Sequence, residues 1–308
     1  MFGYRSDGKK VKNIPPFFKL IPHIMKKRND SQVYYSEDIS ITALDEYIDK
    51  KAEQGIKLSY MSIIYAALIR LISQRPKLNR FVMNGTTYSR NNIFISLAIK
   101  KELSDEGIET TIKLPFTGNE NIFEINDKLL SAISENKSDL NSNSTDSLAK
   151  ALSVIPNWLL KLSVNLFMFL DNRGLLLRKI IDASPFHTSA FLTNVASLGI
   201  DSIYHHIYNF GTTSIFMAMG KKKKSYIYDD ENIKEEKCIS FSIVCDERIC
   251  DGYYFANSIK LFKKYIKKPE LLEDNIEKVE DLIWFINKDG DSNNNILSES
   301  PSLLTLFY

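Results

Sequence analysis

Ile239-Ser240-Phe241-Ser242-Ile243-Val244-Cys245-Asp246-Glu247-Arg248-Ile249-Cys250-Asp251-Gly252 is the stretch whose reading decides the fold. Ile239, Phe241 and Ile243 alternate with Ser240, Ser242 and Val244, the period of two that marks a strand with one face on a core. A charged cluster and Gly252 follow. Beyond them Phe255, Ile259, Phe262 and Ile266 recur at helical spacing, so the local plan is strand, polar turn, helix. Such a turn holds charged side chains on a rigid support, where chemistry is often placed.

Outward from this stretch, the 308 residues are 44% hydrophobic, enough for one large core or two fused halves. Forty basic and thirty-eight acidic residues nearly cancel, which argues against a nucleic-acid partner. Cys238, Cys245 and Cys250 have neither zinc spacing nor a disulfide pattern, and no signal peptide is evident. They read as small apolar core residues, and the cytoplasm is the expected compartment. No metal site is expected, because His187, His205 and His206 lack a carboxylate at ligand spacing.

Residues 1–31 read as a basic surface arm: Arg5, Lys9, Lys10 and Lys12 precede Pro15-Pro16, and apolar Phe17 to Met25 ends in Lys26-Lys27-Arg28. Gln32 to Tyr35 predicts a strand. Thr42 to Asp45 fits a capping box opening a helix that stops at Gly55. Met61 to Gln74 predicts a helix with Ile64, Ala67, Leu68, Leu71 and Ile72 on one face. Asn84-Gly85 signals a hairpin turn, and Asn92 to Lys100 a strand. Asn119 to Glu135 is amphipathic, and Asn136 to Asp146 is a polar loop. Leu152 to Leu170 approaches a membrane span in length, yet Pro156, Asn157, Lys161 and Asn165 interrupt it. A core helix or oligomer interface is favoured there over a membrane span, with a short helix, Leu175 to Ile181, after Gly174. Thr213 to Met219 is a strand, and Lys221 to Lys224 a solvated hairpin tip. Residues 271–308 are acidic, then Asn- and Ser-rich, and are expected to be poorly ordered.

Asp246-Glu247-Arg248-Ile249-Cys250-Asp251-Gly252 resembles the Asp-His-Arg-x-x-Asp-Gly signature of the 2-oxoacid dehydrogenase acyltransferases and their relative chloramphenicol acetyltransferase, with Glu247 in place of the histidine. Leu78-Asn79-Arg80-Phe81, a turn, and Ile93 to Ile99 are similar to a second family segment. Thr193-Asn194 and Gly199 fall on a third, of the form Ser-Asn-x-Gly-x-x-Gly. The resemblance spans about Gln32 to Glu270. It implies an α/β fold, a chloramphenicol acetyltransferase-like two-layer sandwich with a mixed sheet over 32–270, carrying a helical insertion at about 146–182. It also implies a homotrimer with sites between subunits, and coenzyme A, delivered as acyl-CoA, as substrate. No lipoyl-bearing segment is expected on this chain, so a stand-alone role is preferred to one inside a dehydrogenase complex.

By the same resemblance Glu247 inherits the base and Thr193 the oxyanion donor. Asp251 holds an arginine and the turn, with Asp246, Arg248, Gly252 and Asn194 in support, while Lys221 meets a coenzyme A phosphate. His187 is a possible replacement base, set against an ordinary structural histidine. Taking a proton from a thiol of pKa about 8.5 costs roughly 3 kcal/mol with an unperturbed imidazole and roughly 6 kcal/mol with an unperturbed glutamate. A glutamate base therefore requires dehydration. Three readings stand: an acyltransferase acting on a thiol, hydroxyl or amine acceptor, a catalytically silent trimeric scaffold, and a membrane-edge protein using Phe17 to Met25 and Leu152 to Leu170.

Overall fold

The computed structural model describes residues 5–100, 109–138, 154–229 and 232–281. The alternation through Ile239, Phe241 and Ile243 is realised in β9 (Asn232–Asp246), an interior strand of a six-stranded sheet. It pairs antiparallel with β2 (Gln32–Ser40) on one side and with β8 (Ile215–Asp229) on the other. β7 (Ala190–Asn194) joins β8 and β5 (Ile93–Lys100) in parallel, and β6 (Glu109–Phe116) closes the far edge antiparallel. The sheet is therefore mixed.

One face of this sheet carries Ile239, Phe241, Ile243 and Cys245, all buried against helices. Those helices are α2 (Thr42–Glu53), α3 (Tyr60–Gln74), α4 (Ile122–Ser138) and α7 (Gly252–Lys267). α3 is buried continuously from Ser62 to Ser73, because its apolar residues are not confined to one stripe. Its N-terminus is capped by Ser59, whose oxygen accepts from the Ser62 N–H at 3.1 Å. The opposite face of the sheet is not left to solvent. Residues 202–207 cross it, with the Ser202 N–H on the Ser240 hydroxyl at 2.9 Å, His205 stacked on Phe216, and Ile207 packed with Phe191, Phe216 and Val244.

A small second sheet contains β1 (Gly8–Lys10), β3 (Arg80–Met83) and β4 (Thr86–Arg90). Asn84 and Gly85 both have positive φ (48° and 71°), the primed hairpin turn that the Asn-Gly pair predicts. Gly211 is held more tightly still. Its φ is 82°, and a Cβ there would lie 2.3 Å from the Phe186 carbonyl oxygen, which accepts from the N–H groups of Thr212 and Thr213. Gly211→Ala is expected to cost about 3 kcal/mol or more, read as a fall in the urea midpoint at unchanged slope.

Several expectations need correction. Residues 5–11 are not a surface arm: β1 pairs with β4, and Arg5, Asp7 and Val11 are buried, since charge composition cannot reveal which arginine finds buried carboxylates. Thr42 does not cap α2; Ile41 occupies that position without a side-chain hydrogen bond. The lysine run is no hairpin tip but lies within β8, with Lys221 inside an irregularity between Met219 and Lys222 and Lys222 to Lys224 beyond it. The apolar stretch forms α5 (Asn157–Asn172), which is no core helix: Asp171 is its one buried residue. α6 (Arg178–Ala183) follows it. Residues 271–281 are docked, with Leu272 buried and Asp281 paired to Arg80, so poor order does not begin at 271; residues 282–308 lie outside those described. Most of the expected 136–146 loop also falls outside them.

Candidate active site

The motif turn is built around Asp246, which is fully buried at the end of β9. Its carboxylate accepts from Arg248 Nε at 2.8 Å and Nη2 at 2.7 Å, from the Arg248 backbone N–H at 3.2 Å and from the Ser31 hydroxyl at 3.0 Å. Arg28 Nε approaches it at 3.6 Å. Arg28 donates further to the carbonyls of Tyr208, Gly211 and Val82, and Arg248 to those of Met25 and Lys26. Burial lowers the Arg28 guanidinium to about 10, with Asp246 opposing and Arg248 assisting that fall. The two arginines thus lock the turn to the segment before β2. Arg28 is the contributor that sequence reasoning missed, because nothing in Lys26-Lys27-Arg28 distinguishes a buried guanidinium from two exposed ammonium groups.

Glu247, by contrast, is exposed. Its backbone N–H donates to the Ser31 carbonyl at 2.9 Å, which fixes the main chain while the side chain stays open to solvent. The dehydration that a thiol mechanism needs is therefore not supplied by the packing of the described residues.

Asp251 does not hold an arginine. It caps α7, accepting from the Tyr254 N–H at 2.7 Å, and lies 3.5 Å from Lys77. Burial would raise its carboxyl, but the Tyr254 N–H and Lys77 outweigh that and keep it below the ordinary carboxylate range. Asp251→Ala is expected to lower stability by about 1 kcal/mol through loss of the cap, measured by thermal unfolding. Gly252 is the first residue of α7. Beside the turn is a cavity of about 490 Å³ walled in part by Arg75, Lys77, Arg248, Cys250, Asp251 and Tyr254. Cys238, Cys245 and Cys250 are all free and buried, as their small apolar character predicts.

Thr193 is half-buried on β7, and Asn194 turns the chain after it, its side-chain oxygen accepting from the Ala196 N–H at 3.0 Å. Among the described residues the Thr193 hydroxyl has no hydrogen-bond partner. Thr193 is level with Ala218 on β8, and Ala218 with Ser242 on β9. Two strand spacings and five residues therefore separate Thr193 from Glu247, about 20 Å. The two proposed catalytic groups stand well apart, Glu247 just past the end of β9 and Thr193 level with Ser242 and Ser36, the middle of β2. Lys221 lies on β8 three residues past the position level with Thr193, on the side away from Glu247, and is exposed, with its N–H on the Ile200 carbonyl. Its neighbours are engaged: Lys222 sits over the Tyr60 ring, Lys223 reaches Asp38 and Asp201, and Lys224 reaches Glu235. Among the described residues Lys221 alone of the run has no side-chain partner.

His187 is no replacement base. It is buried with Nε2 donating to Asp171 at 3.1 Å, which leaves Nδ1 to accept from the Ser184 hydroxyl at 2.8 Å. Burial lowers its pKa against the opposing pull of Asp171, so the ring is neutral at neutral pH. His205 and His206 pack on Phe216 and Tyr208. No metal-binding cluster of His, Cys, Asp or Glu occurs among the described residues.

With this geometry in hand, residues 184–273 match the family described as 2-oxoacid dehydrogenases acyltransferase (catalytic domain), a span running from just before β7 to just after α7. A probable dihydrolipoamide acetyltransferase from Listeria monocytogenes 4b F2365 superposes with a TM-score of 0.54 at 16% identity, covering 85% of this chain and 95% of that one. The dihydrolipoamide acetyltransferase of Azotobacter vinelandii gives 0.55 at 12% identity over 85% and 94% of the two chains. A chloramphenicol acetyltransferase gives 0.51 at 10% identity over 86% and 99%. No curated protein matches the sequence. The fold is that of the chloramphenicol acetyltransferase-like acyltransferase cores, and the motif-bearing third of the chain resembles their catalytic domain.

Proposed function

We propose that the protein is an oligomeric acyltransferase whose site forms between copies. One copy contributes Glu247 as base, and its neighbour contributes Thr193 as oxyanion donor. The observation that carries this reading is the separation within one chain: an exposed carboxylate on a rigid turn and an unpartnered hydroxyl about 20 Å away across the strand register. Only a second copy can bring the two together. The trimer that the family resemblance implies is such an arrangement, and the partner surface would supply the dehydration Glu247 lacks in a single chain.

The donor in this reading is an acyl-CoA thioester. Lys221, free of an acidic partner among the described residues and three residues past the position level with Thr193, suits a coenzyme A phosphate. The acceptor is a thiol, hydroxyl or amine that Glu247 deprotonates as the acyl carbon is attacked. Charge then moves onto the thioester oxygen, where the Thr193 O–H donates, and the coenzyme A thiolate leaves. The experiment is transfer and hydrolysis across a panel of acyl-CoA donors, comparing wild type with Glu247→Gln. A loss of two to three orders of magnitude in the variant is expected. Equal background rates in both proteins would assign the fold to a binding module instead.

A further inference from the structure

Two helices carry apolar faces that nothing in the described chain covers. On α1 (Pro16–Ile24), Phe17, Leu20 and Ile24 are 66%, 58% and 72% exposed. On α5, Trp158, Leu162, Leu166 and Phe169 are 50–71% exposed. Their spacings, three and four, then four, four and three, place each set on one helical face. The helix ends adjoin: Pro22, His23 and Lys26 line one cavity with Phe169, Asn172 and Arg173. Apolar surface of this extent is unusual on a soluble protein and marks an interaction face. Neither helix is long and apolar enough to cross a membrane.

Charge decides the occupant. Residues 8–29 contain seven cations and no acid, within a chain whose net charge is only +2. All of these cations but Arg28 are exposed. On α5 the one acid, Asp171, is buried and paired, while Lys161 is exposed and Arg173 follows at the end. A second copy seated face to face here would bring cations against cations, and in a head-to-tail ring too lysine is depleted from protein interfaces. Anionic headgroups complement the same surface, with Trp and Phe in the apolar face and Lys at its border.

We propose that α1 and α5 form an interfacial anchor, with the apolar stripes entering the headgroup layer of an anionic bilayer and the lysines on lipid phosphates. The test uses the full chain carrying Trp284→Phe, which leaves Trp158 as the only tryptophan. The probes are phosphatidylcholine vesicles with and without phosphatidylglycerol. Co-sedimentation and a blue shift of Trp158 emission are expected with the anionic vesicles. Lys19→Gln/Lys26→Gln/Lys27→Gln should weaken partitioning roughly a hundredfold. Leu162→Glu/Leu166→Glu should abolish it, and both variants should keep the wild-type sedimentation mass and melting transition. No association with anionic vesicles would overturn the proposal. So would a Leu→Glu variant whose soluble assembly changes mass, which would make this face a contact between copies.

Discussion

Co-expressed Glu247→Gln and Thr193→Val subunits should recover activity that neither variant shows alone. Each homogeneous variant lacks one half of every site, and losses of about 10²–10³-fold are expected for the oxyanion donor and a comparable or larger loss for the base. In a cyclic trimer assembled at random from equal amounts, a given interface receives an intact Glu247 from one side and an intact Thr193 from the other about a quarter of the time. Activity near a quarter of wild type is therefore predicted, measured as acyl transfer per assembled protein. A site contained within one chain gives no recovery at any mixing ratio. The prediction follows from the register, because no rotamer change spans about 20 Å along the sheet.

Arg5→Ala is expected to lower stability by about 3–5 kcal/mol at neutral pH, more than any surface substitution would. Arg5 donates to Asp7 at 2.9 and 3.0 Å and to Asp171 Oδ1 at 2.8 Å, and all three are buried. Burial would raise both carboxyls. For Asp7 the Arg5 guanidinium outweighs that, and for Asp171 the His187 hydrogen bond and Arg5 do so together, so both lie below the ordinary range. Because their folded values are depressed, their contribution is present above the unfolded value of about 3.9 and is lost as pH falls through the folded values. Removing Arg5 leaves Asp7 without its ion-pair partner and Asp171 with His187 alone, a burial cost that protonation relieves. The gap between variant and wild type should thus narrow from pH 7 toward pH 4 in urea unfolding. A gap independent of pH would show that lost packing on Phe81 and Tyr88, rather than charge, explains the effect.

The fold was legible in the sequence where patterns are local. The alternation through Ile239, Phe241 and Ile243, the Asn84-Gly85 turn and the helix ending at Gln74 all translate directly into structure. Contacts between distant residues were not legible. Arg5 meets Asp171 across most of the chain, Arg28 meets Asp246, and Arg80 meets Asp281, and no spacing announces such pairs. Periodicity also gave a misleading account of Leu152 to Leu170, since an apolar helix reads the same whether it faces a core or is left uncovered. At the site, the motif places Glu247 on its turn, but whether its side chain is dry depends on surfaces beyond one chain.

A structure of the assembled protein, by crystallography or electron microscopy, measures the decisive quantity: the distance from the Glu247 carboxylate of one copy to the Thr193 hydroxyl of the next. The account predicts that these atoms face each other across a single substrate molecule, within about 10 Å, with Glu247 shielded from bulk water. An assembly in which Glu247 stays open to solvent, and no neighbouring Thr193 approaches closer than it does within one chain, would contradict it.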